Sequence, residues 1–322
     1  MKKRLFTFGC SFTNYIWPTW ADIVSNDYDY SENWGQRGGG NKYIYFSLIE
    51  CHQRNNITAD DTVMIMWSSQ AREDRFLKGK WHTPGSVYNS DYSDEFIEEY
   101  TDTTGYLLDT VTYIQGSYHL LDSIGCEKHF LSILPMDIST DWWANLIEIS
   151  VNRWLNLAPK LNLSISSKIL KLYSPVLKHM KPSVYETVFN SDWHSRDDKI
   201  IPRPASEWKS WTDTLHKNYI NNAGKNWPAF DDFFNDTLDN VESHILEEID
   251  KQFGFIEIRD WVKLLKRSDT HPTPIEHLEY LNCIDFKVSK QAQDFAEYWE
   301  DQVMSNTNNW QTKKLKRFGI KY

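Results

Sequence analysis

The sequence has few glycines, prolines and cysteines, and it has no long hydrophobic run. Its 13 glycines and 11 prolines among 322 residues exclude a collagen-like or low-complexity chain. The four cysteines are far apart, a pattern that favours neither a disulfide framework nor a zinc ribbon or finger; they are Cys10, Cys51, Cys126 and Cys283. No apolar segment approaches the ~20 residues of a membrane-spanning helix, so we expect no membrane partner.

The chain is acidic, with 35 Lys and Arg residues against 45 Asp and Glu residues and a net charge of −10. General nucleic-acid-binding proteins usually present a basic surface, so we expect no nucleic-acid partner. The basic start at residues 1–4 precedes a segment that is too short and too polar for the apolar core of a signal peptide. We therefore expect a cytoplasmic protein.

Aromatic residues are unusually frequent, at 15% of the chain, with 15 Trp, 17 Tyr and 16 Phe. They could form a core packed with large rings, or they could line a cleft that stacks on sugars or bases. Composition does not separate these two interpretations.

Segments typical of strands alternate with segments typical of helices. Strands are predicted at 4–9, 29–34, 62–67 and 128–134, and helices at 17–24, 42–54 and 107–124. Residues 76–105 read as irregular. This alternation predicts a three-layer α/β/α sandwich with a mainly parallel sheet, in which ligands bind at the carboxyl ends of the strands.

The alternation breaks down at 138–240, which is rich in Trp, Ser, Asn and Asp. We interpret this stretch as a large, mostly helical insertion or cap. The α/β core would then comprise residues 1–137 and 241–302, with a helix at 238–252, a strand at 254–258 and a helix from Thr273. Residues 303–322 form a basic tail.

Residues suited to nucleophilic catalysis occur at both ends of this core. A serine nucleophile needs a base, a group that orients the base, and donors for the developing oxyanion. Ser11 follows the first predicted strand, Asp269 and His271 precede the last helices, and glycines occupy 38–40.

Four segments resemble the SGNH (GDSL-like) hydrolase superfamily, in particular its phage-encoded members. They are FTFGCSFT at 6–13, NWGQRGGGNKYI at 33–44, DDTVMIMWSS at 60–69 and SDTHPTPIEH at 268–277. The resemblance implies a flavodoxin-like sheet. It also implies Ser11 as nucleophile, His271 as general base and Asp269 as the residue that orients it. The backbone N–H groups of Ser11 and Gly38 would bind the oxyanion.

The sequence departs from the family pattern at three points. Cys10 replaces the Asp of the usual Gly-Asp-Ser, and Ser69 occupies the position of the oxyanion-hole Asn. Asn41 or Gln70 could supply that donor instead. The spacing from Asp269 to His271 is two residues rather than the commoner three.

Each candidate residue also has a purely structural interpretation. Ser11 could be a turn residue or helix N-cap, His271 a loop residue, and Ser69 a strand-end cap. Asp269 could merely cap the following turn, and the glycines at 38–40 could form a tight connection only. Arg72 could pair with Asp74 or Glu73, or it could bind an anionic substrate group. Trp67 and Gln70 are further substrate-binding candidates.

We therefore expect a serine esterase that hydrolyses an acyl ester, such as an O-acyl group on a carbohydrate, through an acyl-enzyme and without metal or cofactor. The main alternative is a catalytically inactive SGNH-like protein with a binding or structural role, which in a phage could be virion-associated. An acyltransferase using the same serine is a third possibility. The oligomeric state is not predicted.

Overall fold

Four strands form a parallel β-sheet in the computed structural model, which describes residues 3–87, 92–136, 163–190 and 271–304. The described residues contain these four strands and two more. In chain order the six are β1 (Arg4–Phe8), β2 (Tyr30–Asn33), β3 (Thr62–Trp67), β4 (Arg75–Leu77), β5 (Lys80–His82) and β6 (Glu127–Ser132). The sheet has the order β2-β1-β3-β6, and each neighbouring pair is parallel. β4 and β5 form a separate antiparallel hairpin. The predicted α/β class with a parallel sheet is confirmed.

Helices pack on both faces of this sheet. They are α1 (Trp20–Val24), α2 (Asn41–Asn55), α3 (Asp94–Tyr100), α4 (Thr103–Ile124), α5 (Leu163–Leu177), α6 (Val184–Thr187), α7 (Pro274–Cys283) and α8 (Lys290–Met304). Residues of α2 and α4 share one hydrophobic core with the sheet, and residues of α1, α7 and α8 share the other. This arrangement is compatible with a three-layer sandwich.

The central strand β3 explains why the sheet needs cover on both faces. Val63 and Ile65 belong to the core beneath α2 and α4, whereas Met64 and Met66 belong to the opposite core. All four side chains are fully buried. Because successive side chains of a strand point to opposite faces, a continuous apolar run fits a strand covered on both sides.

The neighbouring strands β1 and β3 lie where the chain direction across the sheet reverses. From β1 the chain passes through α1 to β2 on one side, and from β3 it passes through α4 to β6 on the other. Parallel sheets bind ligands at the carboxyl ends of such a strand pair. The loops that follow β1 and β3 are therefore the first place to look for a site.

Local hydrogen bonds explain where α1 begins. The predicted helix at 17–24 starts only at Trp20, because Thr19 caps it. The Thr19 backbone N–H donates to Asp22 Oδ2 over 2.8 Å. A residue with this capping role has extended rather than helical backbone angles.

The hairpin and α3 fall within the stretch expected to be irregular, and that expectation was wrong. Lys78 and Gly79 join β4 to β5 with positive φ angles of 51° and 78°. Two such residues form the tight turn that matches the twist of paired strands.

The predicted positions of helices α2, α4 and α7 are confirmed. Gly125 ends α4 in the left-handed conformation, and Thr273 caps α7 through a capping box with Glu276. Residues 163–190 of the predicted insertion contain α5 and α6 and belong to the same compact unit as the sheet. The predictions for 238–252, 254–258 and most of the tail lie outside the described residues. Within the described ranges, no helix is both long enough and apolar enough to span a bilayer.

Candidate active site

Ser11 lies in a tight turn directly after β1. The backbone N–H groups of Thr13 and Asn14 both donate to the Cys10 carbonyl oxygen over 3.0 Å. A side chain at Gly9 would place its Cβ 2.0 Å from Thr13 Oγ1, so only glycine fits this entry to the turn. The turn therefore presents Ser11 at the carboxyl end of the strand.

Side-chain hydrogen bonds hold this turn in place. The Thr13 carbonyl oxygen accepts from Asn33 Nδ2 and from Thr19 Oγ1, each over 2.7 Å. Asn14 Nδ2 donates to the Gly35 carbonyl oxygen over 2.5 Å. The turn is thereby fixed to the end of β2 and to the start of α1, an arrangement suited to a preorganised catalytic group.

The Ser11 hydroxyl is largely buried but not fully enclosed, with 9% of the residue exposed. Its Oγ makes one long contact with the buried Cys10 Sγ at 3.9 Å. Among the residues that the structure describes, neither the Ser11 nor the Gly38 backbone N–H donates a hydrogen bond. Both expected oxyanion donors therefore have no intramolecular acceptor in the described part of the chain.

The glycine-rich turn after β2 is shaped by its contact with the segment that follows the hairpin. Gly38 has a φ of +72°, and a Cβ there would lie 2.1 Å from the Thr83 carbonyl oxygen. Thr83 Oγ1 donates to the Arg37 carbonyl oxygen over 3.0 Å. Glycine at 38 is thus required by backbone geometry as well as by close packing.

Asp74 caps the N-terminus of α2 from the loop after β3. Its carboxylate accepts the N–H groups of Gly40 and Tyr43 over 2.9 Å each. The carboxyl is buried, and burial raises its pKa above 3.8 even though these two donors and the Arg72 charge act in the opposite direction. Asp74 therefore links the loops after β2 and β3.

His271 lies against the turn that contains Ser11. Its ring centroid is 5.1 Å from that of Phe12. The ring also stacks on the Tyr15 ring, with centroids 3.8 Å apart and planes at 14°. The indole N–H of Trp17 donates to the Pro272 carbonyl oxygen over 2.8 Å. The structure therefore packs His271 against Phe12, the residue that follows Ser11, although the two segments are about 260 positions apart in the sequence.

Two further candidates, Trp67 at the end of β3 and Asn41 at the start of α2, serve the fold. Trp67 is fully buried in the core. Asn41 Oδ1 accepts the Ser68 N–H over 2.8 Å, and its Nδ2 donates to Thr110 Oγ1 over 3.0 Å. The Asn41 amide thus fixes the end of β3 rather than pointing an unused donor at a substrate.

Arg72 is also engaged by the protein. Its Nη1 donates to the Gly39 carbonyl oxygen over 3.0 Å, and its Nε donates to Ser69 Oγ over 3.4 Å. Gln70 is buried and its Nε2 has only a 3.9 Å contact with Met136 Sδ, while its Oε1 has no partner in the described part of the chain. Among these candidates, Gln70 has the side-chain amide with the fewest hydrogen bonds to described residues.

Asp269, the predicted orienting residue, lies outside the described residues, so its role stays a prediction. The structure adds Tyr15, Arg37 and Asp74, to which sequence reasoning gave no site role. Arg37 is exposed, and its guanidinium carbon lies 4.8 Å from the centroid of the Tyr15 ring. The three consecutive glycines at 38–40, beside Arg37, were the only sequence pattern that pointed to the loop after β2.

The described site contains a serine on a hydrogen-bonded turn and a histidine that packs on two rings of the same loop, which are residue types that acyl-transfer enzymes use. Within the described ranges, no group of three or more His, Cys, Asp or Glu side chains could hold a metal ion. The chemical interpretation rests on these contacts and on the four sequence segments. No protein-family model and no curated protein matches the chain.

Proposed function

We propose that the chain is a serine esterase of the SGNH type. The observation on which this mainly rests is the packing of His271 on Phe12 and Tyr15, which frame the turn that presents Ser11. Nucleophile and base must lie close together in a triad mechanism, and here they come from opposite ends of the sequence.

The strand order supports the same proposal. The four-stranded order β2-β1-β3-β6 agrees with the start of a flavodoxin-like sheet. Ser11 follows β1, Gly38 follows β2 and Ser69 follows β3, which is the order that the resemblance implies. We propose in addition that the sandwich is SGNH-like and that residues 138–240 are an insertion in it.

In the proposed reaction, Ser11 Oγ attacks the acyl carbonyl carbon while His271 accepts the hydroxyl proton. The N–H groups of Ser11 and Gly38 stabilise the negative oxygen of the tetrahedral intermediate. When the intermediate collapses, the bond to the alcohol oxygen breaks and His271 donates its proton to that oxygen. Water, deprotonated by His271, then releases the acid from the acyl-enzyme. Asp269 would orient the imidazole.

A fluorophosphonate probe tests the nucleophile directly. We expect wild type to gain the mass of one phosphonyl group, and Ser11→Ala to gain none. Ser123→Ala is the matched control, because that serine is exposed on α4 and, among the described residues, bonds its own helix through the Leu120 carbonyl oxygen. It should label like wild type, and heat-unfolded protein should not label.

A second candidate function is a binding protein without catalysis. It is favoured by Cys10 in place of the usual Asp and by the engagement of Ser69 Oγ with Arg72. A folded wild type that does not react with the probe would support this alternative and contradict the esterase.

A further inference from the structure

The hairpin of β4 and β5 begins and ends at the rim of the candidate site. Asp74, which directly precedes β4, accepts the Gly40 N–H over 2.9 Å. Thr83 directly follows β5, and its carbonyl oxygen would lie only 2.1 Å from a Cβ at Gly38. Both ends of the hairpin are thus packed against the glycine-rich turn that contains the proposed oxyanion donor.

The hairpin is a basic segment of an acidic chain. Residues 75–82 contain one Arg, two Lys and one His but no Asp or Glu, whereas the net charge of the whole chain is −10. Arg75 is engaged by Glu73, whose carboxylate lies 3.3 Å from its Nε. Lys78 and Lys80 are exposed, and neither forms an ion pair with any residue that the structure describes. Two uncompensated positive charges therefore lie at the tip of the hairpin.

Apolar side chains accompany these two charges. Phe76 and Trp81 are paired across the hairpin, with ring centroids 5.7 Å apart, and Phe46 on α2 meets Trp81 at 5.5 Å. Phe76 and Phe46 are 46% and 47% exposed, and Leu77 is 49% exposed. Neighbouring large apolar side chains with this exposure mark an interaction surface more often than isolated ones do.

An acidic polysaccharide matches this combination of groups. Ammonium groups pair with carboxylates, and exposed aromatic rings can pack against the C–H faces of sugar rings. A nucleic acid also offers anions and flat rings, but it carries a phosphate at every nucleotide. Two unpaired lysines in a chain of net charge −10 compensate few of those phosphates, so the more sparsely charged polymer fits better.

The hairpin surface comprises Phe46, Phe76, Leu77, Lys78 and Lys80. We propose that it binds a carboxylate-bearing polysaccharide, which is the polymer that carries the acyl ester. The inference rests on the proposed esterase for the acyl group, and it names the substrate class of that site. The lysines pair with carboxylates and the rings pack against sugars, while the ester reaches Ser11 past the glycine-rich turn. No bond is made or broken at the hairpin surface itself.

Binding of alginate, a polymer of uronic acids, tests the hairpin surface. Full-length Ser11→Ala, which lacks the proposed nucleophile, is titrated calorimetrically with alginate oligomers at physiological ionic strength. We expect binding, and we expect the double variant Lys78→Gln, Lys80→Gln to weaken it about tenfold because two charge-assisted pairs are lost. Dextran, a neutral polymer, should bind at least about tenfold more weakly than alginate. A folded protein that does not bind alginate would overturn the proposal.

The double variant Lys168→Gln, Lys171→Gln is the matched control. Both lysines are exposed on α5, and neither has an ion pair within the described ranges. The change in net charge is the same, and the affinity for alginate should change by less than about twofold because salt screens distant exposed charges. Equal losses in the two double variants would show a general field effect and contradict the hairpin surface.

The contribution of the rings has its own pair of variants. Phe46→Leu removes a half-exposed ring and should weaken alginate binding about three- to tenfold. Tyr298→Leu is the control, because Tyr298 is 49% exposed on α8 and its ring meets that of Trp299, with centroids 5.6 Å apart. It should change the affinity by less than about twofold, and an equal loss in both variants would contradict a role of the Phe46 ring.

Two further polyanions test whether the ligand is a carbohydrate. Poly-L-glutamate has carboxylates without sugars, and oligothymidylate has phosphates and bases. We expect both to bind Ser11→Ala at least about tenfold more weakly than alginate does. If either bound as tightly and lost affinity in Lys78→Gln, Lys80→Gln, the surface would recognise charge or nucleic acid and the polysaccharide would be overturned.

The outcome is distinguishable from the fate of the proposed esterase. Alginate binding that depends on Lys78 and Lys80 supports the hairpin surface even if the fluorophosphonate probe does not label wild type and the esterase fails. Labelling of Ser11 together with alginate binding that ignores both lysines overturns the hairpin surface and leaves the esterase standing.

Discussion

The imidazole of His271 stacks on the phenol ring of Tyr15, with ring centroids 3.8 Å apart and planes within 14° of each other. Tyr15 in turn meets the edge of Trp17, with centroids 4.7 Å apart, and the Trp17 indole donates to the Pro272 carbonyl oxygen. The loop after β1 thereby holds both the ring of His271 and the backbone beside it. In the proposed mechanism, this stack orients the base.

Removing the Tyr15 ring should misplace the base. We expect Tyr15→Leu to lower kcat about 10- to 100-fold, because small errors in the placement of reacting groups are costly. Tyr15→Phe keeps the stacking ring and should lose less. The measurements are ester hydrolysis and the rate of fluorophosphonate labelling, with thermal unfolding to confirm the fold.

Tyr45→Leu controls for the general loss of a stacked tyrosine. Tyr45 stacks on Tyr113, with centroids 5.4 Å apart, on the surface formed by α2 and α4. If Tyr45→Leu reduced hydrolysis as much as Tyr15→Leu, the orienting role of Tyr15 would be contradicted.

The proposed roles of His271 and Asp269 predict an order of effects. His271→Ala removes the group that accepts the proton and should lower kcat by at least ~10³-fold. Asp269→Asn should cost less, because it changes only the group that orients the imidazole. Steady-state kinetics of both variants against wild type measures this, and a greater loss in Asp269→Asn would reverse the assignment.

The buried cap at Asp74 should contribute strongly to stability. Asp74→Ala leaves the N–H groups of Gly40 and Tyr43 without their acceptor, and we expect a loss of about 2 kcal/mol in the free energy of unfolding. Asp102→Ala removes an exposed cap on α4, where Oδ1 accepts the Thr104 N–H, and should cost only about 1 kcal/mol. Urea unfolding measures both losses.

The loss in Asp74→Ala should also depend on pH. The pKa of Asp74 is raised in the folded state by burial, so the folded protein holds this proton more tightly than the unfolded chain does. The contribution of Asp74 is then complete below its ordinary value of 3.8 and decreases as the pH rises through the raised pKa. The difference between wild type and Asp74→Ala should shrink from acidic to neutral pH, and a growing difference would contradict this prediction.

The Arg4–Asp61 pair should show the opposite dependence. Burial alone raises the pKa of Asp61, but hydrogen bonds from Arg4 and Thr58 outweigh it and bring the pKa below 3.8. The stability from this carboxylate is therefore present above 3.8 and is lost as the pH falls through the lowered pKa. Arg4→Gln should destabilise by about 1 kcal/mol at neutral pH, and the variant should converge with wild type in acid.

Arg54→Gln provides the comparison, because the pair of Arg54 with Glu50 lies on an exposed surface of α2. Such pairs contribute about 0.5 kcal/mol or less. Urea unfolding across the acidic range distinguishes the two arginines, and equal losses in both variants would show that the Asp61 contact adds nothing special.

The main features of the fold were predictable because they depend on local patterns. The buried run of β3, the glycine that ends α4 and the capping box that begins α7 each specify structure within a few residues. The start of α1 was misplaced because Trp17 has helical spacing, yet Thr19 caps the helix and the Trp17 indole bonds the distant Pro272. Here a cap and a tertiary contact together outweigh the helical spacing.

The candidate site was harder to predict from the sequence than the fold. Ser11 and His271 could be proposed from the resemblance, but the position of the His271 ring depends on Phe12 and Tyr15, which had no distinguishing pattern. Arg72 and Arg37 look alike as isolated arginines. Only the folded chain shows that the first bonds the backbone of Gly39 and that the second lies over Tyr15.

Asp74 and Arg72 have a consequence for recombination between related chains. Both residues follow β3, yet one bonds the start of α2 and the other bonds Gly39 in the segment after β2. A chimera that received residues 68–74 from another parent without residues 35–43 would separate each donor from its acceptor. The two segments should therefore be exchanged only as a pair, and crossover points that divide them should give few folded products.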